Sequence, residues 1–442
     1  MQVGNRKELS APLTERRFVL PFVLITSLFF LWAFGVNLND ILIPHFKRAF
    51  ALSDFQSSFI QVAFFGGYFL AAFPAGRLME RIGYKRGILC GLGLCGLGAL
   101  LFVPASRVGI YEFFLLALFV MACGQSFLEV AANPYVTTLG PPESAERRLN
   151  FAQSFNSVGA VVSPLLGSAL ILKGVEYTSA QVGAMSPAQL HAYRSAEAST
   201  VKFPYLVIAA IFVAMAVLIS WARLPDIIET HAQEKAARRD AGRIFAQRHL
   251  VKGVIAQFFY VGAQVGVASF VVRFVQHTMP GTVARTAAFY LLGHQLGFML
   301  GRFTGSQLMK IVAPARLLAA FAAGSVLCAI LAIQSHGIIP IYAIVVLGFF
   351  HSIMFPTIFA LSIKNLGALT KRGSSLLVMA IIGGAVFPAI MGKISDKLNI
   401  QTAFIVPVVC YVYILYFAMF GYKPHAASAK QDEARELEGM AT

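Results

Sequence analysis

Apolar residues run through this chain in long blocks, separated by short segments that hold most of the charge. A helix rises about 1.5 Å per residue, so about 20 mainly apolar residues cross a hydrocarbon core of roughly 30 Å. Twelve blocks of that length occur, near 18–44, 55–75, 84–104, 112–138, 150–172, 203–222, 251–276, 286–309, 315–334, 338–362, 374–394 and 402–422. The largest interruption, 223–250, is rich in Arg, Lys, Glu and Ala and sets six spans against six. The pattern therefore predicts an all-α membrane protein: a six-helix bundle over 1–222, a cytoplasmic linker over 223–250, and a second bundle with a cytoplasmic tail over 251–442. Residues 173–202, between spans five and six, are polar enough to lie in solvent.

Polar residues inside the spans matter more than those between them. In span four, Gln125, Ser126, Glu129 and Asn133 stand at i, i+1, i+4 and i+8, which places them on one helical face. A carboxylate in hydrocarbon costs several kcal/mol even on generous insertion scales, so Glu129 should face water or protein. Of the twenty acidic residues, only Asp40 and Glu129 lie well inside apolar spans. Asp40 follows Trp32 and Asn37 on one face of span one. It lies toward the outer end of its span, Glu129 toward the inner end of its own. Desolvation favours the neutral acid, so carboxyls exposed first to one side and then to the other can load and release a proton. The alternative is that each acid is neutralised by a fixed base, with Arg273, Arg302 and Lys364 as the candidates.

Composition agrees with a polytopic membrane protein. The chain is 57% hydrophobic and 13% charged, with a mean hydropathy of +0.71, too apolar for a soluble protein of 442 residues. Its net charge of +16 does not point to nucleic acid, because the positive residues lie in short loops where they meet anionic lipid. With the N-terminus inside, the inner segments carry 25 Lys and Arg and the outer segments nine, an asymmetry that predicts both termini in the cytoplasm. Cys90, Cys95, Cys123, Cys328 and Cys410 are scattered through apolar segments without metal-ligand spacing and read as small packing residues. The first span, from Phe18, is too long for a cleavable signal and lacks a small-residue cleavage site. No nucleophile–base set, nucleotide loop or metal cluster appears, which argues against an enzyme.

The halves resemble each other. Arg77-Leu-Met-Glu-Arg-Ile-Gly-Tyr-Lys-Arg86 aligns without a gap with Gln307-Leu-Met-Lys-Ile-Val-Ala-Pro-Ala-Arg316, and Gly159-Ala-Val-Val-Ser-Pro164 matches Gly383-Gly-Ala-Val-Phe-Pro388. Two matches in the same order imply duplicated, pseudo-symmetric bundles, with a site near mid-membrane. At the duplicated register, Gln153 and Asn156 of span five correspond to Leu377 and Ala380. Amides carry both donor and acceptor, which suits a neutral polyhydroxylated ligand, although interhelical bonds are the ordinary use of such groups in membranes. Gln257, Tyr260 and Gln264 share one face of span seven, and the rings of Trp32 and Phe355 are of a kind that stacks on a sugar face. His294 and Gln295 of span eight and His351 of span ten are also buried and polar; a lone histidine there is more often hydrogen-bonded structure than a proton relay, its pKa allowing either, and Arg302 can pair with a carbonyl or a helix end, so none of the four is assigned a role.

Gly76-Arg-Leu-Met-Glu-Arg-Ile-Gly-Tyr-Lys-Arg86 resembles the loop signature of the major facilitator superfamily between spans two and three, with Glu80 in place of the usual Asp. The resemblance implies a gating role for Gly76, Glu80, Arg81, Gly83 and Arg86. Trp32-Ala-Phe-Gly-Val-Asn-Leu-Asn-Asp40-Ile-Leu, Phe127-Leu-Glu129-Val-Ala-Ala-Asn-Pro-Tyr-Val-Thr, Leu149-Asn-Phe-Ala-Gln153-Ser-Phe-Asn156-Ser, Tyr260-Val-Gly-Ala-Gln264 and Pro356-Thr-Ile-Phe together resemble the L-fucose:proton symporter family of that superfamily. That implies Asp40 and Glu129 as the proton-linked pair and Asn37, Gln153 and Asn156 as sugar contacts. The chain departs from the family at Ala268, where an aromatic is expected, and at Phe355, where a tyrosine is expected. The expectation is a monomeric symporter of the bacterial inner membrane that imports a neutral hexose with protons as the coupling ion and no cofactor. Its rivals are a proton-driven antiporter of the same fold and a non-transporting sugar sensor.

Overall fold

The structure is a computed structural model, and it describes residues 11–50, 54–171, 184–225 and 244–423. Every regular element among the described residues is helical. In lipid the backbone must satisfy its own hydrogen bonds, and a helix does so within one segment.

Span one is α1 (Val19–Ala49), and spans two and three run together as α2 (Asp54–Val108). Spans four and five are α3 (Tyr111–Thr138) and α4 (Ala145–Ile171). A short helix, α5 (Pro187–Thr200), precedes span six, α6 (Lys202–Trp221). Spans seven to nine are α7 (Arg248–Thr278), α8 (Ala284–Leu308) and α9 (Pro314–Gln334). Span ten is divided into α10 (Ile339–His351) and α11 (Met354–Ile363), and span eleven into α12 (Thr370–Met379) and α13 (Gly383–Lys397). Span twelve centres on α14 (Ile405–Tyr416) and closes in a π turn, Phe417–Gly421.

All twelve expected spans are helical, with edges within a few residues, and three details differ from expectation. The loop between spans two and three shrinks to one non-helical residue, Gly83, at φ 78° and ψ 172°. A Cβ there would meet nothing within 4 Å, so the need for glycine comes from the backbone alone. The polar stretch before span six is not featureless: Ser186 and Gln189 form a reciprocal capping box at the start of α5. Span ten breaks where Pro356, lacking an N–H, cannot bond the carbonyl four residues back. That carbonyl belongs to Ser352, and Arg302 Nε donates to it at 3.0 Å.

The chain divides into two compact units. One comprises Thr14–Leu139 and Phe151–Ile227; the other comprises Met1–Leu13, Gly140–Asn150 and Ile228–Thr442. In the first unit α2 and α3 approach closely through small residues, as membrane helices do. A Cβ on Gly67 would lie 2.8 Å from the Phe119 carbonyl oxygen, and one on Gly91 2.9 Å from that of Gly124. In the second unit Gly348 packs directly against the His294 backbone, joining α8 to α10.

Candidate transport site

In the unit holding Thr14–Leu139, Glu129 is 6% exposed near the middle of α3, among residues buried on every side. From α2, the carbonyl oxygen of Tyr68 accepts from Ser126 Oγ, on the same face of α3, at 3.0 Å. Asn133, one turn on, donates from Nδ2 to the Glu129 carbonyl oxygen at 3.1 Å. Asn133 Oδ1 in turn accepts from Gln153 Nε2 of α4 at 2.9 Å. Asn133, on the same face of span four as Glu129, thus links the Glu129 backbone to Gln153 of span five.

The remaining residues of this unit sit around that set in different ways. Asn156 is half-buried, one turn from Gln153 on α4. Trp32 is buried, its ring 4.4 Å from that of Phe29. Asn37 spends its Nδ2 on the Ala33 carbonyl oxygen of its own helix, at 2.7 Å. Asp40 lies on α1, but its side chain falls outside the described residues. Ser163 Oγ donates to the Phe34 carbonyl oxygen at 2.8 Å and ties α4 to α1. Gln125 is fully buried with both amide atoms unbonded, and a Cβ on Gly35 would lie 3.0 Å from its Nε2.

In the other unit, Tyr260 of α7 is buried with its ring 6.2 Å from Phe355 of α11 and 6.4 Å from His351 of α10. Gln264, one turn along α7, is half-buried, whereas Gln257 is fully buried with neither amide atom bonded. His351 Nδ1 lies 3.1 Å from the Tyr411 hydroxyl, its ring 4.9 Å from that of His294. His294 Nδ1 is bonded to the Ile344 carbonyl oxygen at 2.8 Å. The histidines and Arg302 thus sit in hydrogen-bonded structure.

Two of the bases considered as fixed counter-charges are engaged elsewhere. Lys364 Nζ pairs with Glu146 at 2.9 Å, and Arg273 is exposed with its guanidinium over the Phe270 ring. Arg302 stacks over Phe298 besides bonding Ser352.

At the loop between spans two and three, Gly76 is buried, Glu80 is half-buried, Arg81 and Arg86 are exposed, and Gly83 makes the kink. Lys85, which sequence reasoning did not single out, donates to the carbonyl oxygens of Ser220 and Ala222 at 3.0 and 2.8 Å. It thereby caps the C-terminus of α6, where a cation is favoured by the helix dipole. At the start of α4, Arg147 and Arg148 donate to the carbonyl oxygens of Ala11 and Leu13.

Residues 25–381 match the Major Facilitator Superfamily. The chain belongs to that superfamily. Among its relatives is the L-fucose-proton symporter of Escherichia coli K12, 44% identical over 411 residues, covering 92% of this chain and 94% of that one. A glucose/galactose transporter of Brucella abortus is 41% identical over 411 residues, covering 93% and 96%. Among solved structures, a major facilitator transporter, FucP, in the outward conformation superposes with a TM-score of 0.85 at 44% identity, covering 93% of this chain and all of that one. The all-helical, multi-pass membrane architecture read from the hydropathy pattern is the fold of this superfamily, and its members are transporters, not enzymes.

Proposed function

We propose that this protein is a proton-coupled symporter that imports a neutral monosaccharide, L-fucose or a related hexose, by alternating access. The observation that carries the reading is Glu129, a carboxyl buried in a membrane helix one turn from Asn133, whose amide accepts from that of Gln153. Likeness to a symporter of L-fucose and protons over nine-tenths of the chain supports it.

In this reading Asp40 and Glu129 carry the proton. Asn37, Gln153, Asn156, Tyr260 and Gln264 bond the sugar, and Trp32 and Phe355 stack on it. Gly76, Glu80, Arg81, Gly83 and Arg86 form the cytoplasmic gating loop. Residues 1–222 and 251–442 are the two bundles that rock about the site, and 223–250 links them. The protein works as a monomer in the bacterial inner membrane, with both termini in the cytoplasm. Sugar, protons and lipid are its partners, and it needs no other cofactor. Coupling requires that proton and sugar together favour the change between open states, since a ligand shifts an equilibrium only by its differential affinity for the two states.

The test uses lightly buffered proteoliposomes and a screen of L-fucose, D-galactose and D-glucose. One of these sugars should alkalinise the external medium as it enters. Glu129→Gln should abolish both that signal and accumulation against a gradient. Acidification on sugar addition would indicate an antiporter, and sugar binding without either signal a sensor. Wild-type accumulation by Glu129→Gln would end the assignment of that residue.

A further inference from the structure

Arg147 and Arg148 stand in the first turn of α4, where the helix dipole disfavours a cation. Arg148 is also fully buried, and a buried charge is costly unless hydrogen-bonded. Its bonds go to backbone outside the helix. Nη1 donates to the Leu13 carbonyl oxygen at 2.9 Å and to Ser144 Oγ at 2.8 Å, and Nη2 to the carbonyl oxygens of Gly140 and Pro141, each at 3.3 Å. Ser144 Oγ donates to the Pro12 carbonyl oxygen at 2.9 Å, and Arg147 Nη2 to that of Ala11 at 2.5 Å. Three consecutive carbonyls of an irregular segment, Ala11–Leu13, are therefore held by three side chains within residues 144–148. The next residue continues the hold, with Thr14 Oγ1 donating to the Leu139 carbonyl oxygen at 2.6 Å.

The turn so held also reaches distant spans. Glu146 pairs with Lys364, the Arg147 carbonyl oxygen accepts from Ser306, and Asn150 donates to Thr357. Along the chain, Glu146, Arg147 and Asn150 fall in the bundle 1–222, and Ser306, Thr357 and Lys364 in 251–442. Bundles that rock about a site must part these contacts in one half of the cycle. We propose that Ala11–Leu13 is a strap and Arg148 the positioning residue that fastens it, setting the start of α4 so that Glu146, Asn150 and the Arg147 carbonyl meet their partners. The strap thereby stabilises the state in which those contacts are made, and loosening it favours the state in which they are parted. A guanidinium suits the task because its planar fork bonds several acceptors at once, which an ammonium does not. The inference rests on the alternating-access reading.

The test is hydrogen–deuterium exchange of the purified protein in detergent, read over 140–150, 303–309 and 357–364. Ser144→Ala and deletion of residues 2–13 each loosen the strap; Lys364→Met breaks the ion pair directly. Loosening should speed exchange roughly fivefold or more, the scale of one net hydrogen bond, over 303–309 and 357–364 as well as over 140–150. Combined with Lys364→Met, Ser144→Ala should add less than its separate effect, because both act on the same contacts. A merely local role would speed exchange over 140–150 alone, and that result overturns the proposal, as does wild-type exchange at all three places or full additivity. If the deletion also speeds exchange over 315–334 it has unfolded the protein, and Ser144→Ala decides alone. A wild type that takes up none of L-fucose, D-galactose and D-glucose removes the symport reading and leaves the exchange results to decide the strap.

Discussion

Each polar atom sealed from water without a partner costs about 1–3 kcal/mol, and Gln125 has two such atoms one turn from Glu129. Gln257 repeats the situation in the other unit, one turn from Tyr260. An unbranched apolar side chain of similar length would escape that cost. Gln125→Met is accordingly expected to raise the stability of the purified protein by about 1–3 kcal/mol, read as a higher Tm in detergent, while lowering sugar uptake. A raised Tm with unchanged uptake would make Gln125 a packing residue, and a lowered Tm would show its amide to be bonded in the working protein. Residues of this kind differ in how far the sequence reveals them. Glu129 was legible because a carboxylate in an apolar run has few cheap explanations. Lys85 was not, since a loop lysine looks the same whether its ammonium meets water, a headgroup or, as here, the carbonyl oxygens at the end of α6.

At the scale of elements, the hydropathy pattern located the spans because burial of backbone in lipid leaves the helix as the one economical answer. It did not locate their interruptions. The break at Ser352 needs both Pro356, which frees a carbonyl, and Arg302, fifty residues earlier, which satisfies it. Only the first half of that pairing is local. Gly83 is the opposite case, an interruption much shorter than the loop expected over 76–83, because a single residue in a conformation almost closed to side chains turns the chain without unwinding its neighbours. Since no atom lies within 4 Å of an added Cβ, the cost of a side chain there is backbone strain alone. Gly83→Ala should lower stability by roughly 1–3 kcal/mol, measured by thermal unfolding. An unchanged Tm would mean that the kink relaxes freely and that the glycine is not its cause.

At the scale of the whole molecule, the duplicated sequence invites a division by halves, yet Gly140–Asn150 belongs with Ile228–Thr442 and not with the spans on either side of it. The bonds responsible are specific. Glu146, 6% exposed at its side chain, pairs with Lys364 at 2.9 Å; Asn150 Nδ2 donates to Thr357 Oγ1 at 3.1 Å; and Ser306 Oγ donates to the Arg147 carbonyl oxygen at 3.3 Å. Nothing in the sequence joins Glu146 to Lys364, because both read as loop charges and 218 residues separate them. The ammonium is half-exposed and the carboxylate is not, so the two ends of the pair are unequal. Removing the lysine alone leaves a buried carboxylate without its cation, whereas removing both charges leaves no such group. Lys364→Met should therefore destabilise the purified protein by about 1 kcal/mol, solvent at the lysine end keeping the figure small. Glu146→Gln combined with Lys364→Met should recover most of that loss. Non-additivity in this cycle would locate the anchorage of the segment in the ion pair; strictly additive effects would assign it to Asn150, Thr357, Ser306 and the Arg147 backbone instead.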